Sequence, residues 1–144
     1  MALIGQLLHK RTPVLHIVSP QQPVIDAVAL MAARRVGAVP VVEAGRLVGI
    51  FSERDLLRRV VAVGRSAEKT LIAEVMTPEP VTAGPGDERG DAVRKMDEIG
   101  CRHLPIVQHG LLVDMLSIRD LLFGELEERG ETVESLRRYI GGSY

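Results

Sequence analysis

The sequence predicts an α+β fold built from two β-α-β-β-α repeats. The chain matches itself at a constant offset of 65 residues, and the match needs no insertion. Within each copy, segments with helical apolar spacing alternate with short strand-like segments that flank a glycine turn. Identical residues at this offset include Pro40 and Pro105, Ser52 and Ser117, and Asp55 and Asp120. Because each copy is only about half of a usual domain, we expect the two copies to pack together and share a core.

A short strand and an amphipathic helix open each copy. Val14–Val18 and Val81–Ala83 are predicted strands, followed by turns at Pro20 and Pro85. Apolar residues then recur at helical spacing, which predicts a helix in each copy. These residues are Val24, Ala27, Val28 and Met31 in the first copy, and Ala92, Val93, Met96 and Ile99 in the second.

A hairpin and a second helix complete each copy. Glycine in the hairpin turn supplies the positive φ that a tight hairpin requires. The second helix is predicted to start at Ser52 in the first copy and at Ser117 in the second. The predicted hairpin strands are Val39–Val42 and Leu47–Phe51 around Ala44-Gly45, and Leu104–Val107 and Leu111–Leu116 around His109-Gly110.

The predicted domain boundaries follow from this order of elements. Residues 1–63 form the first repeat with an N-terminal helix at Leu3–Leu8, and residues 64–74 form the linker. Residues 75–129 form the second repeat, and residues 130–144 form a C-terminal helix and tail. Short helices are also predicted at Leu71–Val75 and at Thr132–Ile140, the latter closing the module or a dimer seam.

Composition excludes several classes of function. Eighteen basic and nineteen acidic residues give a net charge of −1, without the basic footprint of a nucleic-acid-binding protein. No stretch approaches the ~20 apolar residues that span a membrane, and no signal peptide is recognisable, so we expect a cytoplasmic protein. The single cysteine, Cys101, excludes a disulfide framework, and the histidines show no metal-ligand spacing.

Each hairpin leads into the same short motif, Ser52-Glu-Arg-Asp55 or Ser117-Ile-Arg-Asp120. A serine followed three residues later by an acidic residue is the pattern of a helix capping box. A ligand site is the second interpretation. Arg54 and Arg119 fall in the first helical turn, where the helix dipole disfavours a cation, so a nearby phosphate is expected. The carboxylate would then accept hydrogen bonds from ribose hydroxyls. Both interpretations remain open at this point.

At these residues the chain resembles the cystathionine β-synthase (CBS) domain, a family whose members occur as tandem pairs called Bateman modules. The resemblance covers residues 3–123, and segment 132–141 is similar to the tail of small stand-alone bacterial members. It rests on Gly37–Val42 (GAVPVV), Gly45–Asp55 (GRLVGIFSERD), Val75–Pro78 (VMTP), Arg102–Val107 (RHLPIV) and Ser117–Leu121 (SIRDL).

The resemblance implies a CBS-domain pair, in which the two repeats are related by a pseudo-twofold axis and form two clefts between them. Members commonly bind adenosine compounds there, such as AMP, ADP, ATP, NAD or S-adenosylmethionine. They act as sensors rather than catalysts and often form homodimers. The resemblance therefore implies a regulatory module without catalytic residues, which binds an adenine nucleotide and acts in trans on an unknown effector protein.

The family's binding residues carry over to this sequence by position. Asp55 and Asp120 would hold ribose, with Ser52 and Ser117 beside them, and Arg54 and Arg119 would face phosphate. Backbone at Ala38, Val39 and Pro40, and at His103, Leu104 and Pro105, would contact the adenine edge. Val18, Ile50, Phe51, Met115 and Leu116 would line the clefts.

The second copy departs from the family pattern at one position. Asp114 stands where the first copy has Gly49, and its carboxylate could repel a phosphate. The second copy also carries Arg102 and His103, and Arg102 could pair with Asp114 or with a phosphate. The two clefts are therefore expected to differ, with the Asp120 cleft favoured by its basic residues.

Two other classes of function are alternatives to this module. A homodimeric scaffold without a nucleotide ligand would use the Ser-x-x-Asp motifs only as helix caps. An enzyme would need a nucleophile and a base, and the pair Cys101 and His103 lacks an orienting third group.

Overall fold

The computed structural model of the chain describes residues 2–122 and has a mixed α/β fold. It divides into two compact units, each named here after its capping aspartate. The Asp55 unit consists of residues 14–81 and 107–113. The described part of the Asp120 unit consists of residues 2–13, 82–106 and 114–122. The helix predicted at residues 132–140 lies outside the described residues.

Helices and strands follow the predicted order. They are α1 (Ile4–His9), α2 (Val24–Arg34), β1 (Ala38–Glu43), β2 (Arg46–Ser52), α3 (Glu53–Asp55), α4 (Ile72–Val75), β3 (Thr77–Pro78), α5 (Arg89–Ile99), β4 (His103–Gln108) and β5 (Leu111–Ser117). A π-helical segment, Leu56–Val61, continues α3, and residues 118–122 are helical. The strands form one sheet in the order β1-β2-β3 and a second sheet of β4 and β5.

Both predicted hairpins are present. The turn residues Ala44 and Gly45 have φ values of 53° and 78°, and His109 and Gly110 have 53° and 79°. Two consecutive positive φ values are the geometry of a type I′ turn, whose twist matches that of the flanking strands. The positive φ predicted for the glycines is confirmed, and the residue before each glycine shares it.

The predicted strands Val14–Val18 and Val81–Ala83 are wrong in extent. Residues 12–17 have no regular structure, and only Val18 forms a parallel bridge, to Val41. In the second copy only Ala83 forms the equivalent bridge, to Ile106. Each predicted strand is therefore reduced to one paired residue.

A proline in the neighbouring strand explains why these ladders stop. Val18 donates its N–H to the carbonyl of Pro40 at 3.1 Å, and Ala83 donates to the carbonyl of Pro105 at 3.1 Å. The next hydrogen bond of a parallel ladder would need the N–H of the same proline, which proline lacks. Because the two prolines occupy the same repeat position, they limit the strand in both copies.

A third strand, which the sequence did not predict, lies beside β2. Thr77 pairs with Ile50, and Pro78 pairs with Gly49. Gly49 allows this close approach, because a Cβ on it would lie 2.5 Å from Met76 Sδ and 2.9 Å from the Thr77 carbonyl oxygen. The pairing holds Thr77 next to β2, the strand that leads into α3.

The helix after Ser52 is correct in position but differs in type. One α-helical turn is followed by a π-helix over Leu56–Val61, and Ala62 donates to the carbonyl of Leu57, five residues earlier, at 2.9 Å. Apolar spacing near 3.6 residues does not distinguish a short π-helix from an α-helix. The sequence therefore predicted the helix without its π geometry.

Each unit has its own buried apolar residues. In the Asp55 unit they form one cluster of Val18, Val24, Ala27, Met31, Val39, Val41, Phe51, Val60, Ile72 and Val75. In the Asp120 unit they are Ile4, Ala83, Ala92, Met96, Leu104, Ile106, Leu116 and Leu121. Five of the helix positions predicted as apolar faces are therefore confirmed as core: Val24, Ala27 and Met31 in α2, and Ala92 and Met96 in α5.

Replacing Gly49 by alanine is expected to lower the free energy of unfolding by about 1–3 kcal/mol, because the added methyl overpacks β3 and its backbone must move. Gly86→Ala is the matched control, since a Cβ there meets nothing within 4 Å. Urea denaturation followed by circular dichroism measures both variants. Equal stability of the two variants would contradict the close approach of β3 to β2.

Candidate functional site

Both Ser-x-x-Asp motifs form helix caps. The Ser52 N–H donates to Asp55 Oδ2 at 3.0 Å, and the Asp55 N–H donates to Ser52 Oγ at 3.2 Å. In the second repeat, the Ser117 N–H donates to Asp120 Oδ2 at 2.8 Å, and the Asp120 N–H donates to Ser117 Oγ at 3.1 Å. The capping-box interpretation is confirmed in both repeats. One carboxylate oxygen of each aspartate is committed to its helix, which leaves Oδ1 as the main acceptor for other donors.

In the Asp55 unit, the second carboxylate oxygen is engaged as well. The Thr77 hydroxyl donates to Asp55 Oδ1 at 3.1 Å, and Nε of Arg59 lies 3.7 Å from the same oxygen. The Asp55 side chain is only 7% exposed. Asp55 is therefore buried and satisfied by its own unit, so a ligand that needs this carboxylate has to displace or share Thr77.

In the Asp120 unit, the corresponding oxygen is open. The Asp120 side chain is 36% exposed, and its Oδ2 accepts the Ser117 N–H and lies 3.2 Å from Nη1 of Arg11. Among residues 2–122, no group donates a hydrogen bond to Asp120 Oδ1. An ionised carboxylate is an acceptor only, so Asp120 offers a ligand hydroxyl an acceptor that Asp55 does not.

Arg11 joins two acidic side chains of the Asp120 unit. Its Nε lies 3.1 Å from Asp114 Oδ2, its Nη2 donates to Asp114 Oδ1 at 3.4 Å, and its Nη1 lies 3.2 Å from Asp120 Oδ2. Asp114 is fully buried, and Arg102, the partner suggested for it from the sequence, is exposed. That suggestion is corrected, because the cation that pairs with Asp114 is Arg11. The expected repulsion of a phosphate by Asp114 is also reduced, since Arg11 offsets its charge.

Sequence reasoning missed Arg11, although the duplication contains a signal for it. Gly49 of the first repeat corresponds to Asp114 of the second, and Met76, which packs on Gly49, corresponds to Arg11. The two repeats therefore differ at two neighbouring positions, with a glycine and a methionine in the Asp55 unit and an ion pair in the Asp120 unit. Two identical pairs, Thr12 with Thr77 and Pro13 with Pro78, extend the match at this offset and place Arg11 opposite Met76.

Burial raises the pKa of the Asp114 carboxyl above its ordinary value of 3.8. The negative charge of Asp120 acts in the same direction. The Met115 N–H, which donates to Asp114 Oδ1 at 2.7 Å, and the charge of Arg11 lower the pKa but do not cancel the rise. Desolvation therefore dominates, and Asp114 holds its proton more readily in the folded chain than in the unfolded chain.

The site residues predicted in the first repeat all lie in the Asp55 unit. Val18, Val39 and Phe51 have side chains that are buried in the core of that unit. Ile50 and Ser52 are half-buried. The full set consists of Val18, of Ala38, Val39 and Pro40 on β1, of Ile50, Phe51 and Ser52 on β2, and of Arg54 and Asp55 on α3. Ligand contact by these residues stays a prediction.

The site residues predicted in the second repeat all lie in the Asp120 unit. The Ile118 N–H donates to the carbonyl of Arg102 at 2.9 Å, which ties the helix start to the residue before β4. Arg102 and Arg119 are exposed. The full set is Arg102, His103, Leu104, Pro105, Met115, Leu116, Ser117, Arg119 and Asp120, of which Leu104, Pro105 and Leu116 are buried. The structure thus groups each set with its own aspartate, and ligand contact stays a prediction here as well.

Other chemistry has little support in residues 2–122. This part of the chain has no group of three or more His, Cys, Asp or Glu side chains that could hold a metal ion. Cys101 is half-buried and is in no disulfide. No helix of the described segment is long and apolar enough to cross a membrane. The two capping aspartates therefore remain the candidate sites.

Comparison with known proteins identifies the repeat. The family profile of the CBS domain matches the chain twice, over residues 5–62 and 72–126. The mitochondrial CBS domain-containing protein CBSX3 of Arabidopsis thaliana is 35% identical over 126 residues, which are 84% of this chain and 61% of that protein. The chain thus spans less than two thirds of the length of this relative.

Solved structures of CBS-domain proteins share the fold. A putative signal-transduction protein with CBS domains from Burkholderia ambifaria MC40-6 has a TM-score of 0.82 and 30% identity, over 92% of this chain and 99% of that one. CBSX2 in complex with AMP has a TM-score of 0.74 and 27% identity, over 90% of this chain and 99% of that one.

The raised pKa of Asp114 predicts how stability depends on pH. The native state binds this proton more tightly than the unfolded state. The resulting stabilisation is fully present below about pH 3.8 and is lost as the pH rises through the higher folded pKa. Because Asp114→Asn does not titrate, the stability of the wild type relative to this variant is expected to fall as the pH rises from about 3.8 through the higher folded pKa.

Urea denaturation at a series of pH values measures this difference. Asp97→Asn, at an exposed position of α5, is the control for a general effect of removing one carboxylate. A wild type that gains stability relative to Asp114→Asn as the pH rises would show that the pairing with Arg11 outweighs desolvation.

Proposed function

This chain belongs to the CBS-domain family, and from that membership we propose that it is a regulatory module that binds an adenine nucleotide (AMP, ADP, ATP or NAD). CBSX2, which is similar in fold and sequence, forms a complex with AMP. In this chain the proposed primary site is the surface around Asp120. A second, weaker site is proposed around Asp55.

The open oxygen of Asp120 is the observation that carries the proposal. Adenosine presents two adjacent ribose hydroxyls, and each can donate a hydrogen bond to a carboxylate. Asp120 Oδ1 is free of donors from residues 2–122, whereas Asp55 Oδ1 already accepts from Thr77. Hydrogen bonds to a charged group contribute about 1.5–3 kcal/mol, enough to decide between two otherwise similar sites.

Basic side chains near Asp120 provide a place for the phosphate. Arg119 precedes Asp120 in the chain, and the carbonyl of Arg102 accepts the Ile118 N–H at the start of the same helix. Both arginine side chains belong to exposed residues. A guanidinium group binds phosphate oxygens through parallel hydrogen bonds, so either arginine is a suitable phosphate ligand.

The proposed action is regulation rather than catalysis. The protein would act in the cytoplasm as a homodimer, in trans on an effector protein. A nucleotide that binds one arrangement of the module more tightly shifts the population toward that arrangement. A difference of ~1.4 kcal/mol changes the ratio of two states tenfold.

Asp120→Asn is expected to raise the Kd for AMP about 10- to 100-fold, while Asp55→Asn changes it little. Asparagine keeps a carbonyl oxygen for the Ser117 N–H and places an NH₂ donor where Oδ1 stands, so the cap remains and the ribose acceptor is lost. Isothermal titration calorimetry with AMP measures both variants. Melting temperatures without ligand serve as the control for folding.

The outcomes separate the nucleotide module from its main alternative. Equal AMP affinity in the wild type and both variants would show that neither aspartate holds ribose. Thermal stabilisation by AMP, ADP, ATP or NAD and not by GTP is expected for the proposed module.

A scaffold without a ligand is the second candidate, and the two closed capping boxes favour it, since both aspartates already stabilise helices. If no nucleotide stabilises the chain while light scattering shows a dimer, the scaffold replaces the nucleotide module.

A further inference from the structure

We propose that Arg11 is a positioning residue for the nucleotide site, which uses buried Asp114 as an anchor to turn Asp120 Oδ1 toward the ligand. The inference rests on the proposed function, because it explains how one of the two aspartates is made available to ribose. Neither Arg11 nor Asp114 is proposed to contact the nucleotide.

The contacts of Arg11 are directed at two carboxylates at once. Nε and Nη2 face the two oxygens of Asp114, at 3.1 and 3.4 Å. Asp114 is fully buried, and its Oδ1 also accepts the Met115 N–H at 2.7 Å, so it is a rigid partner. The Nη2–Oδ1 contact is a hydrogen bond, whereas Nε and Oδ2 face each other as an ion pair without hydrogen-bond geometry. Asp114 therefore anchors the guanidinium group by charge and by one hydrogen bond. The third nitrogen, Nη1, is then held 3.2 Å from Asp120 Oδ2.

This geometry decides which oxygen of Asp120 remains available. Oδ2 is held from two directions, by the Ser117 N–H at 2.8 Å and by Arg11. A rotation that moves this oxygen away from the Ser117 N–H and from Arg11 would break both contacts, and a half-turn would only exchange two equivalent oxygens. Ser117 and Arg11 therefore favour the orientation in which one carboxylate oxygen, Oδ1 here, faces away from them as the acceptor.

The Asp55 unit has no arginine at the repeat position of Arg11. Met76 stands at the repeat position of Arg11 and packs on Gly49, so it offers no cation to Asp55. There the chain instead approaches closely enough for Thr77 to occupy Asp55 Oδ1 at 3.1 Å. The Asp55 unit thus occupies both carboxylate oxygens of its aspartate, whereas residues 2–122 occupy only one oxygen of Asp120.

The double variant R11M/D114G tests the inference, because it gives the Asp120 unit the residues that the Asp55 unit has. Removing both charges avoids a buried, unpaired Asp114, which R11M alone would leave. The Kd values for adenosine and for AMP are expected to rise by the same factor, about tenfold, since the defect lies at the ribose carboxylate.

The comparison of adenosine with AMP separates a defect at the ribose from a defect at the phosphate, and the melting temperature of R11M/D114G without ligand separates both from a general loss of structure. Weaker binding of AMP with unchanged binding of adenosine would overturn the inference, because Arg11 would then be a phosphate ligand. R59M is the matched control, as it removes the arginine beside Asp55, and its Kd values are expected to stay within twofold of the wild type.

The outcomes also separate this inference from the proposed function. If the wild type binds AMP and R11M/D114G binds it equally, the role of Arg11 is overturned while the nucleotide module stands. If the wild type binds neither adenosine nor AMP, both fail together. R11K gives an independent test, because lysine keeps the positive charge but cannot contact both aspartates through a planar group. The R11K variant is expected to be more stable than R11M and to bind adenosine more weakly than the wild type.

Discussion

The aspartate at the start of the helix after each hairpin has to cap that helix before it can serve a ligand. Its Oδ2 accepts the N–H of the serine three residues earlier in both repeats, at 3.0 Å for Asp55 and 2.8 Å for Asp120. This bond fixes the direction in which the strand passes into the helix. Whatever else the carboxylate does depends on the surroundings of the remaining oxygen.

The two repeats give that oxygen different surroundings, and the difference arises outside the motif itself. Beside Asp55, Gly49 permits β3 to approach, and Thr77 takes the oxygen. Beside Asp120, an aspartate replaces the glycine and an arginine replaces the methionine that packed on it. The resulting ion pair is partly buried, and breaking it by removing one partner would leave a charge without compensation. The two substitutions are therefore physically coupled.

The sequence was sufficient for the repeat, the hairpins, the capping boxes and the assignment to a family. Identical residues at one offset and glycine turns are local signals, and they do not depend on how distant segments meet. The sequence was insufficient where pairing depends on a second segment. The predicted strand at Val14–Val18 does not form, because Pro40 has no N–H to donate to it. The sequence did not predict β3, because a strand of two residues carries no recognisable pattern. From the sequence, Arg102 could pair with Asp114 or with a phosphate, and Arg11 was missed because it lies 103 residues from Asp114 in the chain.

The most direct test of the proposed asymmetry is the number of AMP molecules that the unmodified chain binds. Isothermal titration calorimetry gives this number together with the Kd of each phase. We expect one AMP per chain in a single tighter phase, with any second binding at least tenfold weaker. Of the two capping aspartates, Asp120 alone has a carboxylate oxygen without a donor from residues 2–122. Two equivalent sites per chain would contradict that asymmetry, and the absence of any binding would contradict the nucleotide module itself.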